Sequence, residues 1–127
     1  NLSLKTKTFG NEVNIFDSQD IRWIRGAVTI DASTVAVSGV DENGVSRKVL
    51  KAGYPLGKIT ATGKYGPYDA NATDGRQKAV CMIATEIDCT YGDQVTTAFD
   101  HARVIEARLP IPITQQIKND LKNIDFV

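Results

Sequence analysis

Gly57, Gly63 and Lys64 stand at nearly the spacing with which a glycine-rich loop holds a phosphate. Such a loop needs G-x-x-x-x-G-K-[ST] between a strand and a helix, so that backbone amides converge and a hydroxyl reaches the metal. Here five residues separate the two glycines, and Tyr65 takes the hydroxyl position. Pro67 follows where a helix should be under way, and its ring and missing N–H oppose one. The stretch reads as strand, turn and loop, not as a nucleotide site.

The remaining reactive groups fare no better. Asp69, Asn71 and Thr73 alternate as in a calcium loop, but Gly75 is seventh rather than sixth and Val80 replaces the bidentate Glu at the twelfth position. That pattern predicts a turn whose Asp and Asn side chains bond nearby backbone. His101 is the single histidine, and neither cysteine forms a C-x-x-C or C-x-H unit with metal-ligand spacing. It is read as a hydrogen-bonded structural or interface residue. Cys81 and Cys89 are read as small apolar residues in or beside a buried strand, with a disulfide between them left open. Asp88 and Asp93 bracket a turn, where carboxylates face water. There is no G-x-S-x-G elbow. Asn71-Ala-Thr73 and Asn1-Leu2-Ser3 fit the glycosylation acceptor pattern, but without a secretory leader that pattern means little. No catalytic set, metal site or cofactor site emerges, and the chain is read as a non-enzyme.

Composition narrows the classes further. The 127 residues suffice for one domain with a real core, without disulfide staples. Fifteen basic and fifteen acidic residues cancel, so no positive field collects phosphates and nucleic acid is not an expected partner. No apolar run approaches the roughly 18 residues that a membrane span requires, and the opening NLSLKTKTFG alternates instead of forming the apolar block of a leader.

The elements that would position these residues are mostly strands. LSLKTKTF (2–9) alternates, with Leu2 and Leu4 on one side and Lys5 and Lys7 on the other. Too few apolar anchors leave it as an extended arm, expected over 1–20 and mobile in the isolated protein. EVNIF (12–16) precedes a DSQD turn, and IRWIRGAVTI (21–30) reads as one strand entering from an exposed edge. TVAVSGV (34–40) and VSRKVL (45–50) flank Asn43-Gly44, a hairpin turn that demands positive φ. LGKITAT (56–62) is a strand, 66–77 a loop, and 78–87 a strand covered on both faces. Residues 94–109 read as a strand with Phe99, His101, Arg103 and Ile105 on one face. Ile113, Ile117, Leu121 and Ile124 recur at helical spacing after Pro112, which predicts a helix over about 114–124 capped by Thr114. Tyr54, Tyr65 and Tyr68 cluster around the central turn and suit either an interface or the core. The sum is a mainly β (α+β) domain, residues 21–127, with an extended N-terminal arm and one C-terminal helix.

Taken whole, LKAGYPLGKITATGKYGPYDANATDGRQKAV (50–80) resembles the signature segment of the lambda-type bacteriophage head decoration proteins. The matching residues are Leu50, Gly53, Leu56, Gly57, Ile59 to Tyr65, Asp74, Gly75, Gln77, Ala79 and Val80, followed by Gly92-Asp93 and His101. Where the family often has His-Gly, this chain has His101-Ala102. The resemblance implies a β-clip or β-tulip-like fold that forms homotrimers. It implies a place on the outside of an expanded phage capsid, at three-fold and quasi-three-fold positions, clamping the major capsid protein against packaged DNA. It also implies that the arm adds a strand to a capsid sheet, which nominates Leu2, Leu4, Lys5, Lys7 and Phe9 for capsid binding, with Tyr65, Tyr68 and His101 as trimer or capsid interface residues. An alternating arm with unpaired backbone groups suits that task. The alternative reading is a small β-barrel binding module on a virion surface, for host-surface or glycan binding.

Overall fold

The computed structural model describes residues 14–127. They form a mainly β domain with a single α-helix near the C-terminus, as the sequence pattern predicts. The main sheet runs in the order β1 (Arg22–Trp23), β11 (Ala98–Val104), β8 (Cys81–Ile83), β6 (Pro55–Lys58), β7 (Tyr65–Pro67), β2 (Val28–Ile30) and β10 (Gln94–Thr96). A further strand, β12 (Ile124–Phe126), pairs parallel with β11. Two short ribbons complete the set: β3 (Gly39–Val40) with β4 (Ser46–Arg47), and β5 (Val49–Leu50) with β9 (Ile87–Asp88). Strand neighbours lie about 4.8 Å apart, so a flat sheet would hold β10 about 24 Å from β11. Only Thr97 separates them in the chain. The sheet therefore curls until its two ends meet.

Curling gives the sheet an inside and an outside, and each is filled. Val28, Ile30, Leu50, Leu56, Cys81 and Ile83 belong to the inner core. Met82, Phe99, Val104, Ile117, Leu121 and Ile124 belong to the outer core, between the sheet and the C-terminal segment. The central strand β8 shows the logic most clearly. Its three residues are fully buried, Met82 facing one core and Cys81 and Ile83 the other. A strand covered on both faces has no polar side to show, which is why 78–87 reads as a continuous apolar run. Among the described residues no helix is long and apolar enough to cross a membrane.

Several expected elements break where the curl demands it. The stretch 21–30 is two strands, not one, separated by a turn in which Ala27 N–H donates to the Ile24 carbonyl at 3.3 Å. Gly26 (φ 80°) and Ala27 (φ 63°) both take left-handed backbone, which lets the chain leave β11 and reach β7 and β10. Strand β11 ends at Val104, and Glu106–Arg108 form a 3₁₀ turn instead of continuing to 109. Within β11 a bulge sets Arg22 opposite His101 but Trp23 opposite Phe99, leaving Asp100 extra. One extra residue reverses the alternation. Phe99, Ala102 and Val104 consequently face the outer core, while His101 and Arg103 are exposed, so the expected common face of Phe99, His101 and Arg103 does not exist.

The C-terminal segment and the hairpin differ in the same local way. Helix α1 spans Gln115–Asp120, with the Ile117 N–H donated to Thr114 Oγ1 at 3.3 Å. It stops at Leu121 because Ile124 joins β12 against β11. The four-residue spacing thus marks burial on one core more faithfully than it marks helix: Ile117, Leu121 and Ile124 are all buried, and only Ile117 is helical. In the β3–β4 hairpin only Gly44 has positive φ (80°). The Asp41 carboxylate accepts from the Asn43 and Val45 N–H groups, each at 2.9 Å, and builds a three-residue loop with a bulge in place of a two-residue turn. Residues 65–67, expected in the loop, form β7.

The chain enters this body earlier than the arm boundary at residue 20 implies. Ile15 is buried in the outer core, Phe16 bridges to Val104, and its ring lies 4.9 Å from that of Phe99. Residues 14–20 are therefore part of the folded domain, and the rest of the expected arm lies outside the described residues. The strained turn gives a direct test. Left-handed backbone costs a residue with a Cβ about 1–2 kcal/mol, part of which a glycine returns through its looser unfolded chain. Ala27→Gly is expected to raise stability by up to about 1 kcal/mol, read from the midpoint of a denaturant titration; a lower midpoint would show that the turn carries no strain.

Candidate functional site

The distinctive segment 50–80 folds onto itself around missing side chains. Gly57 of β6 lies directly opposite Gly66 of β7, and the loop Asp74–Gln77 crosses this pair. A Cβ on Gly57 would collide with the Arg76 backbone, its carbonyl oxygen being only 2.8 Å away. A Cβ on Gly66 would meet Thr34 Oγ1 and the Arg76 side chain, with Cδ at 2.8 Å. The loop is tied down through its backbone. Thr60 N–H donates to the Asp74 carbonyl at 2.9 Å, Asp69 N–H to the Arg76 carbonyl at 3.1 Å, and Val80 N–H to the Leu56 carbonyl at 2.8 Å. Gln77 Oε1 accepts the Gly75 N–H at 2.8 Å, and Asp120 of α1 accepts the Ala79 N–H at 3.1 Å. The Asp74 carboxylate accepts from both the backbone N–H and the Nε of Arg76, at 3.1 and 3.0 Å, and these bonds hold it below the usual carboxylate range. Each polar residue of the motif closes the loop, so the motif specifies shape rather than reactivity.

The near-phosphate loop is a hairpin connection. Gly63 (φ 77°) donates its N–H to the Ile59 carbonyl, and Ile59 N–H to the Lys64 carbonyl, both at 2.8 Å. Those N–H groups are spent inside the turn. Lys64 Nζ donates to Asp93 Oδ2 at 2.7 Å, and Asp93 Oδ1 accepts the Ala32 N–H at 2.9 Å. The hydrogen bond and charge of Lys64 pull the Asp93 carboxyl down, and the same bond raises the Lys64 ammonium. One carboxylate thereby ties the β6–β7 tip to the start of β10 and to the 3₁₀ turn after β2.

The other candidates are equally occupied. Asp69 accepts the Asn71 N–H at 2.9 Å in a side-chain turn. Asp88 accepts from the Thr90 hydroxyl and N–H and from Arg47, which together lower its carboxyl. Cys81 and Cys89 are free thiols buried in the inner core, and burial pushes Cys81 up to about 12. Among the described residues no three His, Cys, Asp or Glu side chains gather where they could hold a metal ion.

The nominated interface residues are spread over the domain. Tyr65 packs against the inner core with the Lys58 ammonium 5.9 Å from its ring centre, Tyr68 packs against the outer core, and His101 is exposed on β11 opposite Arg22. Leu2, Leu4, Lys5, Lys7 and Phe9 lie outside the described residues. The residues from which they would extend are well anchored: Ile105 N–H donates to the Ile15 carbonyl at 2.7 Å, Arg108 Nη1 to the Asn14 carbonyl at 3.0 Å, and Asp17 N–H to the Arg103 carbonyl at 2.9 Å. Sequence reading missed a second surface. Val37, Val40, Tyr91 and Val95 are large apolar side chains left exposed. The signal was there in TVAVSGV, a charge-free run bracketed by Asp31 and Asp41.

Two outcomes follow from this geometry. Gly57→Ala forces backbone apart and is expected to destabilise by about 1–3 kcal/mol, measured by thermal melting, whereas a neutral effect would mean the loop does not press on the hairpin. Asp74, Asp88 and Asp93 all have depressed folded values. Their contribution to stability is complete above the ordinary carboxylate range near about 4 and is lost as pH falls through the folded values. Melting temperature should drop steeply below that range, and Asp93→Asn should blunt the drop; an unchanged acid limb in the variant would remove Asp93 from the account.

A family model described as Bacteriophage lambda head decoration protein D matches residues 6–122. No curated protein matches the chain.

Proposed function

The chain belongs to the bacteriophage lambda head decoration family, a family of structural capsid proteins, and from that membership we propose that it acts as a trimeric clamp on the outside of an expanded phage head. Decoration of a phage capsid is the coarse role that family membership carries. The finer reading is that trimers sit at three-fold and quasi-three-fold positions, holding neighbouring major capsid subunits against the pressure of packaged DNA. The observation that carries the proposal is the reach of the family match, which runs from residue 6 in the arm to residue 122 beyond α1.

Physical features of the chain support this reading. The alternating segment 2–9 has the pattern of a strand that completes someone else's sheet, with main-chain bonds supplying affinity and alternate side chains specificity. Ordering such a segment costs about 1–2 kcal/mol per residue, so it settles only where an edge is offered. Its root at Asn14–Asp17 is pinned along β11, which gives the arm a rigid anchor to pull against. Three arms on one trimer make later attachments intramolecular and raise avidity by roughly 10²–10⁴-fold. A net charge of zero suits a protein outside the shell, with no task at the genome.

The decisive measurement is sedimentation with undecorated heads. The full chain should pellet with expanded heads and not with unexpanded ones. Leu2→Asp with Leu4→Asp in the full chain, or removal of residues 1–13, should abolish pelleting and the gain in head melting temperature. Equal binding to both head forms, or attachment untouched by either change to the arm, would overturn the proposal.

A further inference from the structure

The β3–β4 ribbon leaves one strand edge without a strand partner among the described residues. The ribbon has two strands, and β3 is paired only on its β4 side. Ala36 to Val40 are exposed without interruption, with Val37 at 53% and Val40 at 65%. Natural sheet edges are guarded by lysine, proline, bulges or inward charges. Between Ala32 and Val40 there is no charged residue and no proline. An unguarded valine-bearing edge on a chain of zero net charge, with no repulsion to keep copies apart, needs a cover.

We propose that this edge is covered by residues 2–9 of a second copy of the chain, laid along β3 as an added strand. The inference rests on the reading of the N-terminal segment as a strand-forming arm. Charge selects the arm. Residues 1–10 contain Lys5 and Lys7 and no carboxylate. At the end of the ribbon Asp41, Glu42 and Asp88 stand around a single cation, Arg47, whose guanidinium lies 3.7 Å from Asp41 and is also bonded to Asp88. The acidic excess there matches the two lysines. Leu2 and Leu4 recur every second residue, as an added strand needs in order to set both on one face beside Val37 and Val40.

Reach selects a second copy. Asn14 is bonded to Arg108, beside Ile15 in the outer core, whereas Val35, just before β3, packs in the inner core. Only residues 10–13 would remain for an arm to return around the sheet to its own β3. Four residues span at most about 14 Å, and a single layer spacing is already about 10 Å. A neighbour's arm meets no such limit. On this view the edge is a resting place, and a capsid lattice competes for the same segment.

Disulfide trapping tests the idea on full-length protein. Cys81 and Cys89 are buried, so introduced surface thiols report alone. Leu4→Cys protein mixed with Val40→Cys protein under mild oxidation should give a mixed dimer in several-fold higher yield than either variant alone. Adding Lys5→Glu and Lys7→Glu to the Leu4→Cys chain should lower that yield several-fold. Val37→Cys serves as the acceptor if Val40→Cys lowers the melting temperature. Absence of a mixed product with both acceptors, or homodimers of Val40→Cys as the main species, would overturn the proposal. So would a doubly substituted chain that closes only on itself. Expanded heads should suppress the mixed product; if it forms in solution but heads neither bind the protein nor suppress it, the inference stands and the arm-to-capsid reading falls.

Discussion

A single residue, Thr97, stands between two strands that occupy opposite ends of the main sheet. Everything else in the fold follows from closing that gap. The curl creates an interior, and the interior must be packed with Val28, Ile30, Leu56 and Ile83. The convex side must be covered too, and the chain does this with what it has left: the entry segment at Ile15 and the C-terminal segment from Ile117 to Ile124. Both left-handed residues after β1 and the bulge at Asp100 serve the same closure, one by redirecting the chain and the other by turning Phe99 toward the outer core.

Within that frame the polar residues that look reactive are structural. Lys64 and Asp93 join three elements at one end, Asp74 and Arg76 lock a loop over two facing glycines, and Asp88 orders the turn before β10. These exposed pairs each contribute little energy in water. Their effect is geometric, because each fixes a turn where backbone bonding alone leaves a choice. A protein whose role is mechanical has use for many such fixings and none for a solvent-shielded cleft. Family membership and the fate of these side chains point the same way.

Much of this was legible in the sequence, and the reasons for the rest are local. The apolar run at 78–87 announced a strand with two buried faces, because burial leaves no polar alternation to read. The near-miss at Gly57–Lys64 was legible as a turn, because Tyr65 and Pro67 contradict a phosphate loop directly. The face of β11 was not legible: a bulge shifts the alternation by one residue and leaves no mark in residue type, so His101 and Arg103 look equivalent to Phe99. The length of α1 was hidden for a different reason. Ile124 fits the helical stripe, and only pairing with β11, some twenty residues upstream, draws it into a strand. The exposed valines of β3 were visible as a charge-free run, but exposure is decided by what else packs nearby, and that is a property of the whole chain.

The partners of β11 come from all along the polypeptide: Phe16, β1, β8 and β12, from near the first described residue to near the last. Such wide separations make for a high contact order, and chains of that kind fold slowly, because long loops must close before any pairing rewards them. On a ribosome the outer core has no stable precursor until Ile124 has been synthesised and has cleared the exit tunnel. Assembly of the domain is therefore a late, nearly all-at-once event, and its waiting time belongs to the chain before any copy reaches a shell.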